Sequence, residues 1–404
     1  MRISTTQYFG MNVQTMDDQQ SQLTQLYQQL STGVSLSTPS DNPVGAAQAV
    51  QLSMQGATLS QYSSNQNTAL SSLQAEDSTL GTVNTILTNI NTLLVRAGDG
   101  SLNDGDRSAL ATQLQGLRAQ LLSQANATDG SGNYLFAGFQ TTSQPFGTNA
   151  AGAVQYNGDG GVQNVQVTGT RQIASGDNGA TVFLGVSPTG TTSIPAGNAA
   201  NTGSGTIGAV STTNASDPTN ADKYTINFTS PTTYTVTDLT LGSTTGPQTF
   251  TSGTAITLGG QSVAISGAPA AGDAFSVTPA TQAGTDVFAN IDAAVVALQT
   301  PVTGAAATAN LNNAMATAMS KLANTLNNVI TVQASVGGRE NEVTALQTVT
   351  QSNNLQTQSN LADLTQTNLT QVISKYTMTQ FSLQAAQQGF SMIQKMSLFN
   401  YIGN

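Results

Sequence analysis

Apolar positions recur at alternating steps of three and four from near the start of the chain. Phe9, Asn12, Met16, Gln19, Leu23, Leu26 and Leu30 form one such row, the a/d seam of a heptad, and predict a helix. The row stops at Leu30-Ser31-Thr32-Gly33, where Gly33 supplies the left-handed residue that ends a helix without a Cβ penalty. Asn42 before Pro43 reads as an N-cap and a first helical residue, because proline lacks only an N–H that had no partner there. Residues 31–42, Asp41 among them, are therefore a joint between two helices. The small residues Gly45, Ala46, Ala47 and Ala49 beyond it would let another backbone come close.

A longer row follows, through Leu59, Tyr62, Gln66, Ala69, Leu73, Glu76, Leu80, Val83, Leu87, Ile90 and Leu94. A helix over 43–97 would be about 80 Å long, a length typical of coiled coils and fibrous rods. Gly98-Asp99-Gly100 breaks it, and Asp104 or Asp106 caps a further helix with Leu110, Leu114, Leu117 and Leu121 on one face.

Gly130 to Phe139 reads as a turn and then a strand, bearing Tyr134, Leu135, Phe136 and Gly138. In a chain only 5% aromatic, this density is assigned to packing where helices meet the middle region. A ligand-stacking platform is the less favoured use. From about 140 to 283, β-branched and polar residues alternate between turn residues, predicting strands near 162–167, 181–186, 224–228, 234–237, 255–258, 262–265 and 274–277. Residues 187–221, rich in Gly, Thr, Ala, Ser and Asn, predict a long surface loop.

Helical spacing returns at Val287, Ile291, Val295 and Leu298, and again from Leu311 to Val336, with Gly337-Gly338 as a site for a kink. In the last segment Leu369, Tyr376, Leu383 and Phe390 repeat every seven residues, with Val372, Thr379, Ala386 and Ile393 between them. Proline agrees with this map: none separates Pro43 from Pro145, eight run from Pro145 to Pro279, and none follows Pro301. The expected class is mainly α with inserted β: an elongated rod of long antiparallel coiled-coil-like helices from both termini around a central all-β insertion. Residues 1–42 with 366–404 would form a terminal-helix domain, 43–146 with 284–365 a helical rod, and 147–283 the insertion.

Charge is scarce: 7% of residues against about 25% in ordinary soluble domains. The net charge is −10 and basic residues number 10, with no basic stripe to neutralise phosphates, so nucleic-acid binding is not expected. Cysteine, histidine and tryptophan are absent, which removes thiolate nucleophiles, disulfides, imidazole bases and Cys/His metal sites. The first residues lack the apolar core of a secretory signal, and no run of about 18 apolar residues predicts a membrane span.

Gly203-Ser204-Gly205-Thr206-Ile207-Gly208 matches a dinucleotide fingerprint, but within low-complexity sequence and among 39 glycines chance explains it. Asp99, Asp104 and Asp106 lack the spacing and final glutamate of a calcium loop, and helix capping accounts for them. Asn126, Asn214 and Asn227 begin glycosylation sequons, which carry little weight without a eukaryotic secretory signal. No catalytic, cofactor or metal site is expected.

Leu30-Ser31-Thr32-Gly33 through Asp41-Asn42-Pro43-Val44-Gly45-Ala46 resembles the N-terminal signature of the bacterial flagellin and hook-associated protein family. Tyr376, Phe381 to Ala386 and Ser397 to Tyr401 resemble its C-terminal signature. Gly132 to Thr141 through Pro145-Phe146, with Ser335 to Asn341, is similar to its hook–filament junction members rather than to flagellin. Val34, Ser35 and Leu36 stand where members often carry basic residues, and 365–370 lacks their acidic residues, so salt bridges between subunits do not carry over. The resemblance implies an extracellular flagellar subunit, exported unfolded without a cleaved signal and assisted by a flagellar export chaperone. It would sit in a homo-oligomer ring between hook-associated protein 1 and flagellin. Phe9, Met16, Leu23, Leu26 and Leu30 would meet Leu369, Tyr376, Leu383, Phe390 and Ile393 in the inner tube, covered fully only by neighbours. A flagellin-like filament subunit, or a secreted adhesin or glycan-binding module on a helical stalk, are the alternatives.

Overall fold

The computed structural model describes residues 5–36, 38–40 and 42–402, with side chains over 7–36, 38–40 and 42–393. Asp41 of the expected joint and the side chains of Ser397 to Tyr401 lie outside the described residues. The helices are α1 (Thr5–Thr32), α2 (Pro43–Ala97), α3 (Asp104–Ala125), α4 (Gly179–Phe183), α5 (Val287–Gln299), α6 (Gly304–Thr365) and α7 (Leu369–Ile402). All the strands fall between α3 and α5 and pair antiparallel. The chain forms two compact units, Met1–Ser64 with Gln347–Asn404, and Asn65–Leu346.

The second unit is built on the aliphatic row of α2. Leu73, Leu80, Val83, Leu87, Ile90 and Leu94 are almost wholly removed from water, in one core with the inner faces of α3, α5 and α6. Each such side chain contributes about 1.5–3 kcal/mol by burial, far above any difference in helix propensity. α6 runs unbroken through Gly337 and Gly338, with Val336 and Val343 buried on either side of them. The helix starts with α3 also show how capping competes. Neither aspartate is the cap: Asn103 Oδ1 accepts from Asp106 N at 2.9 Å while the Asp106 carboxylate reaches back to Asn103 N, a capping box. Asp104 is the first helical residue and is ion-paired to Arg107.

The first part of the expected insertion belongs to this same core. Hairpins β1 (Phe146–Thr148) with β2 (Val154–Tyr156), and β3 (Asn164–Gln166) with β4 (Gln172–Ala174), place Phe146, Val154 and Ile173 in it. Residues 181–186 are not a strand. Asn178 caps Thr181 N at 3.0 Å, starting the short α4, and Phe183 packs edge-on to Phe136 and Phe146 at 5.3 and 5.4 Å. A local cap and aromatic burial outweigh the β propensity of Thr181 and Val182.

Nor is 187–221 a free surface loop, since a ladder of amide and hydroxyl side chains on α6 holds much of it. Asn328 donates to Thr181 O and Val182 O at 2.8 and 3.0 Å, and Asn327 to Thr189 O at 2.9 Å. Asn324 both donates to Thr192 O and accepts from Thr192 N, at 2.8 and 3.0 Å. Thr317 donates to Pro195 O at 2.7 Å, and Asn313 bonds Gly205 O and Ile207 N at 3.1 and 2.8 Å. Irregular backbone can be buried only when its N–H and C=O groups find such partners. Within the segment lie β5 (Ile194–Gly197), β6 (Thr206–Ile207) and β7 (Ser211–Thr212).

Residues 194–278 make a second core of their own. β8 (Tyr224–Ser230), β9 (Thr233–Asp238), β10 (Ser243–Thr244) and β11 (Gln248–Thr249) form one sheet with β5 and the later β14 (Ala274–Thr278). Its order is β10-β9-β8-β14-β5, with β11 also on β9. β12 (Ala255–Leu258) and β13 (Gln261–Ser266) form the other sheet with β6 and β7. Alternate residues, Tyr224, Ile226 and Phe228 on β8 and Val263 and Ile265 on β13, point into one apolar cluster. The expected insertion is thus divided between two cores.

An acid is buried inside the second unit without full compensation. Glu76 of α2 is 1% exposed; its Oε1 accepts from Asp177 N at 3.1 Å, while Oε2 has no partner. Burial first, then the nearby Asp177 carboxylate, pushes its pKa to about 8, against the pull of Arg339, which pairs with Asp177 and donates to Ala174 O at 3.1 Å. Folding therefore takes up a proton between the unfolded value of 4.5 and about 8. Stability from this group is full below 4.5 and is lost as pH rises to about 8.

Two measurements follow from these contacts. Glu76→Gln is expected to raise unfolding stability at pH 7 by on the order of 3 kcal/mol and to flatten its decline between pH 5 and 8, read by urea titration at both pH values. Asn313→Ala, which strands a buried carbonyl and N–H, is expected to lower stability by about 2–3 kcal/mol at every pH tested.

Candidate functional site

The first unit holds the residues singled out at both ends of the chain. α1 and α7 lie antiparallel: Phe9 meets Phe390 edge-on at 5.5 Å, while Gly33 at the far end of α1 bonds to Thr367 near the start of α7. Along α1, Phe9, Asn12, Met16, Gln19, Leu23, Leu26 and Leu30 are all less exposed than their neighbours on the opposite face. Along α7 the corresponding positions are Val372, Tyr376, Thr379, Leu383, Ala386, Phe390 and Ile393. Only Leu26, Val372 and Leu383 of these are buried, at 7–9% exposure. Leu369 is 51% exposed, outside this stripe, although the heptad count included it. It is the first residue of α7, where no preceding turn continues the row.

A second set of apolar side chains on the same helices faces water. Met378, Phe381, Ala385 and Met392 share one face of α7, with the polar Gln388 between the last two, and Met378, Phe381 and Met392 are 73%, 74% and 64% exposed. Tyr8, Met11 and Tyr27 are exposed on α1, as are Val50 and Met54 on the first part of α2. An α-helix covered by a single partner needs one apolar stripe; α7 carries two. Charge does little here: α1 holds only Asp17 and Asp18, and α7 only Lys375 and Lys395.

The joint is built as its residue types require. Gly33 adopts φ +69 and its N–H closes α1 on Gln29 O at 2.9 Å. Asn42 Oδ1 accepts from Gly45 N at 3.0 Å, and Pro43 is the first residue of α2. A Cβ on Gly45 would come within 2.6 Å of the Asn42 amide. The joint also pairs with the α6–α7 connection: Ser35 N donates to Thr365 O at 2.7 Å and Thr367 N to Gly33 O at 3.0 Å, around a Val34–Gln366 bridge. Sequence reading missed this pairing, whose signal was a second break in apolar spacing at 365–368.

In the second unit, residues 129–139 form a compact turn, with a single Thr128–Tyr134 bridge in place of the expected strand. Asp129 Oδ1 accepts from Ser131 N and Asn133 N, both at 2.8 Å, and these bonds, led by the Asn133 side chain, hold its carboxyl below the usual range. Phe136 is fully buried, Tyr134 and Leu135 are half-buried, and Phe139 is exposed. Gly138 has φ +70, and any Cβ there would collide with the Asp159 carboxylate that accepts from Phe139 N at 2.9 Å. The motif is a packing corner: Phe136 joins the Phe146, Phe183 and Phe288 cluster, and its carbonyl accepts from Gly179 N at 2.9 Å.

Residues 3–141 match the bacterial flagellin N-terminal helical region. Flagellar hook-associated protein 3 of Salmonella typhimurium is 30% identical over 407 residues, 99% of each chain. A crystal structure of Xanthomonas campestris FlgL, 29% identical, covers 76% of this chain and 98% of its own with a TM-score of 0.68. The flagellar junction protein FlgL from Legionella pneumophila, 24% identical, shares the fold at a TM-score of 0.68 over 79% of this chain and all of its own. Likeness at this level runs through the terminal helices, the joints and the inserted strands together, and the chain belongs to the flagellar hook-associated protein 3 family.

Proposed function

We propose that the chain is the structural subunit joining hook to filament, without catalysis, and that it assembles through its terminal helices. Within a homo-oligomer ring, α1 and α7 of each subunit would be covered by neighbours, with hook-associated protein 1 on one side and flagellin on the other. The observation that carries this reading is the second, exposed apolar stripe of α7, Met378, Phe381 and Met392, beside the exposed Tyr8 and Met11 of α1. Soluble chains seldom leave such rows open unless another surface covers them. The partly covered seam of Phe9, Met16, Leu23 and Leu30 against Tyr376, Ala386, Phe390 and Ile393 fits the same account. A pair of helices held by three buried side chains gains little alone and more from each added face.

Delivery would follow export as an unfolded chain with a chaperone on the C-terminal segment, placing the subunit outside the cell at the hook–filament junction. The absence of cysteine suits that route, since no disulfide can form on the way. No helix among the described residues is long and apolar enough to cross a membrane. In this arrangement 1–42 with 366–404 would form the inner-tube domain.

Two expected outcomes separate this reading from a binding module on a stalk. Truncation after Ser374 should abolish incorporation into flagella, seen as hooks without filaments in a strain lacking its own copy. Replacement of 195–277 by a short Gly-Ser turn, which joins the register partners Ile194 and Thr278, should leave filaments in place. Filament growth with the truncated chain would overturn the proposal. Circular dichroism supplies the other check: the free chain should gain helix on assembly, and unchanged helicity would contradict ordering by neighbours.

A further inference from the structure

Nine methionines carry all the sulfur in this chain, and among the described residues the strongly exposed ones lie in the first unit. Met315 of the second unit is 1% exposed and Met319 is half-buried against the same core. Met11, Met54, Met378 and Met392 of the first unit are 62%, 67%, 73% and 64% exposed. With no cysteine, histidine or tryptophan present, these four thioethers are, among the described residues, the groups most open to a two-electron oxidant.

Met378 and Met392 stand out because they bracket the open stripe of α7 and each lies at the edge of a polar groove. Met378 shares its groove with Gln22, Gln25, Gln29 and Lys375, and Met392 with Gln384, Gln387, Gln388 and Ser391. Amide donors line both grooves, joined by the Lys375 ammonium beside Met378, so a sulfoxide oxygen, a strong acceptor, would form among donors. Oxidation would turn the two ends of an apolar row polar while leaving the core of the second unit intact.

We propose that Met378 and Met392 are a peroxide-sensitive modification site that switches the α7 stripe from assembly-competent to assembly-incompetent. The thioether sulfur attacks the distal oxygen of hydrogen peroxide, the O–O bond breaks, an S–O bond forms, and water leaves. Methionine is oxidised to its sulfoxide as the peroxide is reduced. The site acts on the free subunit, because neighbours that cover the stripe also shield the sulfurs; this last step rests on the assembly reading above.

The test uses the full chain in two arms. After brief exposure to hydrogen peroxide, peptide mass spectrometry should find Met378 and Met392 oxidised at least about tenfold faster than Met315. Equal rates would overturn the proposal whatever the chain assembles into. In the second arm, treated and untreated chains are added to cells that lack their own copy, and filaments are counted. Treated wild type should support several-fold fewer filaments than untreated wild type, while the Met378→Leu/Met392→Leu chain, close in volume, should lose none of its own untreated count on treatment. Equal loss in the double variant would overturn the switch. Failure of untreated wild type to support filaments would instead overturn the assembly reading, and the switch built on it, leaving only the oxidation pattern to stand.

Discussion

Removal of the α2 aliphatic row from water is the interaction on which the second unit rests. Leu73, Leu80, Leu87, Ile90 and Leu94 supply the surface that α3, α5 and α6 cover, and the hairpins of 146–174 then close over the same core through Phe146 and Ile173. Around that aliphatic and aromatic core, several charges of the unit are paired. Arg118 pairs with Asp292 at 2.6 Å, Arg171 with Glu342 at 2.6 Å, and Arg339 with Asp177. Glu76 stands apart from these pairs, an acid kept neutral by the apolar surroundings that the α2 row creates.

The same scarcity of charge shapes how the inserted segments are attached. Asparagine and threonine on α6, at 310, 313, 317, 324 and 328, follow helical spacing as closely as the apolar row beside them. One face of the helix therefore packs by burial and the adjacent face by hydrogen bonds to irregular backbone. Asn313 and Asn328 are 2% and 4% exposed, so each bond is made where a lost partner could not be replaced by water.

Helices were legible in the sequence because each of their signals is local. Gly33, Asn42 and Pro43 mark the joint by backbone conformation alone, and the three-four rows mark which face of α1 and α7 is less exposed. Strands 224–228 and 255–265 were equally plain, with alternate residues buried. What could not be read depended on distant partners. Val182 and Phe183 have strand-forming side chains but follow the Asn178 cap and the phenylalanine cluster. Residues 187–221 have loop composition, yet their carbonyls are claimed by α6, which lies more than a hundred positions further along the chain. Asn103 caps α3 in place of either aspartate because the capping box needs a residue at each of two positions, and Asp106 fills the second. In the terminal unit, the pairing of Ser35 with Thr365 joins segments 330 positions apart, and the break in apolar spacing at 365–368 marks where a partner would bind but not which one.

The seat of residues 181–207 on α6 is made from neutral amides and hydroxyls. None of these groups gains or loses a proton near neutrality, and none attracts a cloud of counterions. The attachment is consequently indifferent to dissolved salt and to acidity, in contrast to one made from lysine and glutamate. A part held this way keeps its grip unchanged whether the surrounding fluid is fresh, brackish or mildly acid.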